Sequence, residues 1–456
     1  MKEDMGISAV KKSILGKLFL PAFCLALAAQ PAFGRDVPVA RIVDDSIVRL
    51  MARDAWLVES PARVQATPRA LHNLDGGGRI EIRAIGRPGE ILILFARQHH
   101  RCGQFTGWVQ GSWEFTRSRA NGNVTKARVF PRSDQQTFVQ FRPFGTDRVH
   151  MDVLLYGAYV IQGQALPVSM DRLTVMPLND ILQLAGSRFP VRYFEPNPDD
   201  FSDHRQFIAN VRERLPELRF ADDGAIDHTG RFVYIATGEE QQGQPGLNCS
   251  GFAKWLIDGI LRPITGERLE IPPLRAPFGD RGSSFTYHFE ELDPFFGLDW
   301  IRNLASQAGS ALISPVFGTL EEIEVRRQPF SQVRCSATAG ARSFPGFLEN
   351  AGYGIEGLLP LLYTLAIDEP GRFFLAAVNS DMPSLTSPRS WNRQPWMRQY
   401  FHVAAFVPYF DEHGNFRVAV FESAAETPIN RFINHHHARH RNVSLVRVPL
   451  ERSFDP

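Results

Sequence analysis

Neither sign of charge dominates this chain: 50 Lys+Arg against 49 Asp+Glu leave a net charge of +1 over 456 residues. That balance supplies no global pull toward nucleic acid or an anionic membrane surface. After the N-terminal 34 residues, no apolar run reaches the ~20 residues that a membrane-spanning helix needs. G-x-S-x-G, the Walker loop and H-E-x-x-H are all missing. Their absence weakens serine-hydrolase, nucleotide-binding and metallopeptidase readings. Tyrosine is scarce, at 9 residues, whereas phenylalanine reaches 35. With 44% hydrophobic and 22% charged residues, the composition excludes wholesale disorder. At ~150 residues per domain, the length suits two or three domains with large cores.

The N-terminus has the parts of a bacterial secretory signal. Lys11, Lys12 and Lys17 supply the positive region, Leu18 to Ala29 the apolar run, and Ala32-Phe33-Gly34 the small-residue cleavage site. The run is short for a membrane span. Residues 1–34 are therefore expected to be removed after Gly34, and the protein to reach the periplasm or the exterior; an uncleaved N-terminal anchor is the alternative. Phe23, before Cys24, is too large for a lipoprotein signal. Removal of the leader leaves Cys102, Cys249 and Cys335. In an oxidising compartment, an odd number leaves at least one thiol free or paired between molecules. Cys102 with Cys335 is one pairing, keeping Cys249 for chemistry. Three buried, reduced cysteines are the other reading.

Residues 35 to about 75 have weak periodicity, and residues 79–164 are strand-rich. Ile80, Ile82 and Ile85, then Ile91 to Phe95, open a series that continues through Trp108 to Phe115, Ala127 to Phe130, Thr137 to Phe141 and Met151 to Ile161. Turns such as Gly86-Arg87-Pro88-Gly89 and Asn121-Gly122-Asn123 separate the runs. The spacing predicts an all-β sandwich or barrel over 35–185. A boundary is expected near 180–197. Phe207, Ile208, Val211 and Leu215 then share one helical face. A second helix runs from Cys249 to about Leu261. Residues 262–345 read as loops and short helices, with Pro272-Pro273 and Gly279-Asp280-Arg281-Gly282 as breakers. A helix is expected over Ile355 to Ile367, and strands over 372–379, 400–410, 416–422 and 443–450. Residues 186–456 thus have an α+β pattern with an antiparallel sheet.

The chemistry concentrates in Tyr234-Ile-Ala-Thr-Gly238 and Gly246-Leu-Asn-Cys-Ser-Gly-Phe252. Asn248 is a good N-cap. Cys249 then occupies the first helical position, where the helix dipole favours a thiolate. Gly251 keeps the surface beside the sulfur low enough for a substrate backbone. Phe252, Leu256 and Ile260 anchor the helix. Alone, such a cysteine could equally be a small buried residue. A nucleophile also needs a base, and His402 sits in an otherwise apolar strand, Tyr400 to Val407. If Asp411-Glu412-His413-Gly414 turns a hairpin, Glu422 comes beside His402 and orients its ring. The bland readings are a satisfied core histidine and an exposed strand-end carboxylate.

This string, Tyr-x-x-x-Gly followed by Asn-Cys-Ser-Gly-Phe at a helix start, resembles the NlpC-type cysteine peptidases. These are papain-like hydrolases, many of which cut peptide bonds in bacterial peptidoglycan. Pro370-Gly371-Arg372 and His402-Val403-Ala404 resemble the family's second and third signatures, and the similarity covers roughly 200–265 and 355–450. The resemblance implies Cys249 as nucleophile, His402 as base and Glu422 as third residue, with Tyr234, Ser250 and Gly251 near the substrate and no metal or cofactor. Asn248 stands where the family has Asp, and Glu422 where it usually has His. Cys249 and His402 are 153 residues apart, so residues 262–345 would be an insertion, either a lid or a side-packed element. The implied reaction is acyl transfer to Cys249, with an envelope peptide as substrate. The alternatives are an amidase or acyl transferase on another substrate, and a non-catalytic envelope-binding protein on a degenerate papain-like scaffold.

Two histidine clusters invite a zinc reading. His435-His436-His437 with His440 lies among Arg431, Arg439 and Arg441 and reads better as a solvated basic loop. His99-His100 with Cys102 lacks a converging second cluster. Trp108, Trp113, Phe115 and Tyr156 could stack on sugars or fill a sandwich core.

Overall fold

The computed structural model describes residues 42–75, 77–279, 293–330, 333, 341–383 and 396–456. The expected leader and Cys335 lie outside the described residues, and so does the Cys102–Cys335 pairing. Cys102 is an exposed free cysteine. No helix among the described residues is long and apolar enough to cross a membrane.

Helix α1 (Ser46–Arg53), a π-helical turn and α2 (Pro61–Ala66) occupy the segment of weak periodicity. Eight strands follow: β1 (Ala70–Asn73), β2 (Arg79–Arg87), β3 (Glu90–Arg97), β4 (Trp113–Ser118), β5 (Val124–Val129), β6 (Phe138–Phe144), β7 (Arg148–Leu155) and β8 (Ala158–Leu166). They form one antiparallel sheet in sequence order. This β-rich region is therefore a meander: it is not the two stacked sheets of a sandwich, and among the described residues β1 and β8 do not pair to close a barrel. Tight reversals explain the difference. Gly89, Gly122 and Gly145, at φ 70°, 74° and 76°, and the Tyr156-Gly157 pair, at 47° and 77°, fold β3, β5, β7 and β8 back onto their predecessors. One face of the sheet buries Ile82, Ile93, Phe115, Phe141 and Met151 in a core shared with Trp56. Trp113 belongs to that core, and Tyr156 packs on Tyr363 with ring centroids 5.2 Å apart. Trp108 is partly buried. The sugar-stacking reading fails for Trp113, Phe115 and Tyr156, because their faces are used by protein.

The chain continues through α3 (Met170–Leu173), α4 (Leu178–Ala185), α5 (Ser202–Arg214), β9 (Gly224–Ile226), β10 (Phe232–Tyr234), α6 (Cys249–Thr265) and α7 (Ile271–Leu274). Then come α8 (Phe296–Leu312), α9 (Leu320–Ile323), β11 (Tyr353–Gly354), α10 (Leu358–Asp368), β12 (Arg372–Pro383) and β13 (Trp396–Phe410). The last elements are β14 (Phe416–Glu422), β15 (Ala425–Pro428), α11 (Ile429–His437) and β16 (Asn442–Pro449). The second large sheet is antiparallel, in the order β11-β16-β12-β13-β14-β15. The protein is thus α+β.

Strand alternation sorts this sheet into two faces. Phe373, Leu375, Ala377, Val403 and Ala405 share a core with α6 and α8. Phe374, Ala376, Val378, Ala404 and Phe406 share one with α10 and Phe432 of α11. The pairing slips between Val378↔His402 and Asn379↔Tyr400, leaving Phe401 as an extra residue. This bulge puts Tyr400 in the α6 core, opposite to what strict alternation from Ala404 would give.

The α8 helix departs from the expectation of short helices in 262–345. Leu298, Ile301, Ala305 and Ala308 recur at helical spacing and are buried. Helix α6 also outlasts its expected end. Pro263 cannot donate to the Gly259 carbonyl four residues back; Asp455 N–H supplies that bond at 2.7 Å. A side chain at Gly259 would strike the Phe454 ring at 2.2 Å. The C-terminal tail is therefore seated on the helix that carries Cys249.

Candidate active site

Cys249 is the first residue of α6, and Asn248 caps it by accepting the Gly251 N–H at 2.7 Å. The sulfur is half-buried. The His402 ring, the Val403 N–H and the Ser250 hydroxyl are the neighbours that favour its charged form. Val403 has an N–H to spare because β14 pairs with β13 only from Ala405↔Phe421 onward, which leaves the neighbouring edge of β13 to the helix start. Burial pushes the thiol up, but the hydrogen bond and charge of His402, with the Val403 and Ser250 donors, outweigh it. Cys249 is therefore held below its ordinary value.

His402 Nε2 lies 2.6 Å from Glu422 Oε2, so Nδ1 is the ring nitrogen left for the thiol. The hairpin across 411–415 that joins β13 to β14 brings the two residues together. Burial disfavours the charged ring, but hydrogen bonds to Cys249 and Glu422 prevail and raise His402 to about 9. Burial raises Glu422 in turn, and the bonds from His402 and Thr427 bring it below its usual range. The turn beyond Glu422 is strained: Ser423 and Ala424 sit at φ 48° and 62°, where side chains are disfavoured.

The structure thus brings Cys249, His402 and Glu422 together. The other expected site residues take different places. Ser250 is buried; its hydroxyl faces the sulfur, and its carbonyl accepts Trp300 Nε1–H at 2.9 Å. Tyr234 ends β10, opposite Gly224, and no hydrogen bond among the described residues joins its ring to Cys249. Gly251 is needed for packing: a Cβ there would fall 1.9 Å from the Gly224 carbonyl oxygen. That contact corrects the reading of Gly251 as open ground for substrate. Gly251→Ala should lower unfolding stability by about 1–3 kcal/mol, measurable in a denaturant melt. An unchanged midpoint would contradict the close contact.

Sequence reasoning missed His436. The basic stretch is helix α11, not a solvated loop. Ile429, Phe432, Ile433 and His436 follow i, i+3, i+4, i+7, a signal present in the sequence. His436 is buried, and its ring stacks on His402 with centroids 5.9 Å apart. Arg441 Nη1 lies 2.9 Å from His436 Nδ1. A guanidinium only donates, so Nδ1 accepts and Nε2 keeps its proton. Burial and the His402 charge push His436 down to about 3, leaving it neutral.

His402, Glu422 and His436 offer potential metal-ligand atoms within 4.8 Å of one another. The donor set does not suit a cation. His402 Nε2 is engaged with Glu422, and Arg441 both occupies His436 Nδ1 and adds positive charge. His435, His437 and His440 are exposed, so the sequence-adjacent histidines do not converge with His436.

Residues 38–193 match a family described as a domain of unknown function, DUF8515. That match covers the meander and its flanking helices and stops short of Cys249. No curated protein and no solved structure matches the chain.

Proposed function

We propose that this chain is an exported cysteine hydrolase whose C-terminal region is papain-like and of the NlpC type, and that it cleaves amide bonds in the peptides of cell-wall peptidoglycan. The observation that carries the reading is the continuous relay from a helix-borne thiol, through His402, to Glu422. Three features support it further: the order of the three residues along the chain, the antiparallel sheet behind them, and the Asn-Cys-Ser-Gly string.

In this reading Cys249 and His402 rest as thiolate and imidazolium, with Glu422 balancing the ring's charge. The thiolate attacks the amide carbonyl, forming the S–C bond. The Cys249 N–H has no acceptor among the described residues and points from the helix start, where it can stabilise the oxyanion. The C–N bond breaks as His402 Nδ1 gives its proton to the leaving amine. His402 then takes a proton from water, which attacks the thioester; the C–S bond breaks, releasing the acid and restoring the thiolate beside the imidazolium. Glu422 accepts the ring's hydrogen bond throughout.

Purified peptidoglycan tests the reading. The wild-type protein should release new amino termini, and Cys249→Ala should release none above background. Wild-type digestion that survives Cys249→Ala would eliminate the thiol mechanism. A reactive Cys249 without digestion would move the search to other amides.

A further inference from the structure

Beside the reacting pair lies a cleft of about 1240 Å³ between the β14–β15 hairpin and α11. His402 and Glu422 line it together with Arg431, Arg439 and Arg441. The negative charges present are already engaged. Glu422 is held by His402. Glu426 accepts from Arg212 Nε and Nη2, each at 2.7 Å. The positive charges have no such partners. Arg441 lies over the Phe401 ring at 4.4 Å and donates to His436. Arg439 meets only His435, at 3.4 Å. Among the described residues, no carboxylate lies within ion-pair distance of Arg431, Arg439 or Arg441. Burial and the charge of Arg439 push Arg441 down, as expected of like charges held close.

A guanidinium presents paired donors that match a carboxylate in plane. Three of them around one cleft, none paired to a carboxylate among the described residues, leave a place for an anion from outside. The cleft is lined by His402 but not by Cys249. Because His402 protonates the departing amine, this is the leaving-group side of the site. We propose that the cleft is a carboxylate subsite: the amine half of the substrate carries an acidic group that Arg431 and Arg439 bind, with Arg441 fixing the floor. This inference rests on the hydrolase reading for the polarity it assigns. The bound chemistry, a carboxylate, is read from the cleft itself.

The test separates the two. Calorimetry on the full chain with Cys249→Ala would use the dipeptide Glu-Ala, the amine product of an acyl-Glu-Ala substrate, against its neutral counterpart Gln-Ala amide. The acid should bind at least about tenfold more tightly. Arg431→Gln with Arg439→Gln should abolish that difference, and the double Lys variant should keep part of it. Both arginines are exposed, so the fold should survive, with circular dichroism as the check. Equal binding of acid and amide, or binding of neither at millimolar concentration, would overturn the subsite. Selective acid binding by a protein that digests no amide would keep the subsite and remove the hydrolase.

Discussion

Replacing His402 with Ala should slow the alkylation of Cys249 by iodoacetamide at pH 6 by about 100-fold. The thiol is under opposing influences. Burial disfavours the thiolate, whereas the His402 hydrogen bond and charge favour it, helped by the Val403 N–H and the Ser250 hydroxyl. Removing the ring leaves burial opposed only by two neutral donors. The pH of half-ionisation should therefore rise in the variant, and labelling at low pH should collapse. Peptide mapping must report Cys249 alone, because Cys102 is exposed and free to react. Labelling of Cys249 that follows the same pH curve with and without His402 would show that the two do not function as a pair, whatever their contact.

Glu422→Gln has the second large effect, and its sign follows from the ring it supports. Glu422 is one of the groups that raise His402 to about 9. Without its charge, the imidazolium loses its proton at lower pH. The alkaline limb of the kcat profile should therefore move down from about 9, with kcat reduced by ~10²–10⁴. A Glu422 that merely filled space would leave the limb where it was. Stability carries the same signature. His402 is held above its ordinary 6.5, so its contribution is complete below that pH and is lost as pH rises through about 9. Glu422 is held below its ordinary 4.5, so its contribution stands above that pH and is lost as pH falls through its lowered value. Wild type minus Glu422→Gln, compared by denaturant midpoint across pH, should show a plateau with both edges. A flat difference would refute the linkage.

The place of Cys249 at a capped helix start was legible because its determinants are local: an N-cap, a first helical position and an anchoring i, i+4, i+8 face lie within a dozen residues. Glu422 was legible one step further out, because a short hairpin fixes which residues stand across from β13. Gly251 was misread because its constraint comes from Gly224, which sequence spacing does not bring near. His436 was hidden by composition: a run of histidines and arginines masked the apolar period of Ile429, Phe432 and Ile433. Strands 79–164 were recognised as strands, but alternation names faces rather than partners, so meander and sandwich could not be distinguished. In 262–345, conspicuous breakers drew attention away from the regular face of α8.

That helix bears on how the protein reaches its working state. Trp300, fully buried, donates to the carbonyl of Ser250 in the first turn of α6, and the Tyr400 carbonyl lies 2.6 Å from where a Cβ on Gly297 would be. The segment between Cys249 and His402 therefore helps hold up both of them. Trimming it would remove the brace from each side of the Cys249–His402 pair. During synthesis, the sulfur also emerges long before the strand that carries His402. The thiol then has neither ring nor brace until residues 296–312 and 396–410 have folded together, so the pairing of Cys249 with His402 is completed only late in assembly.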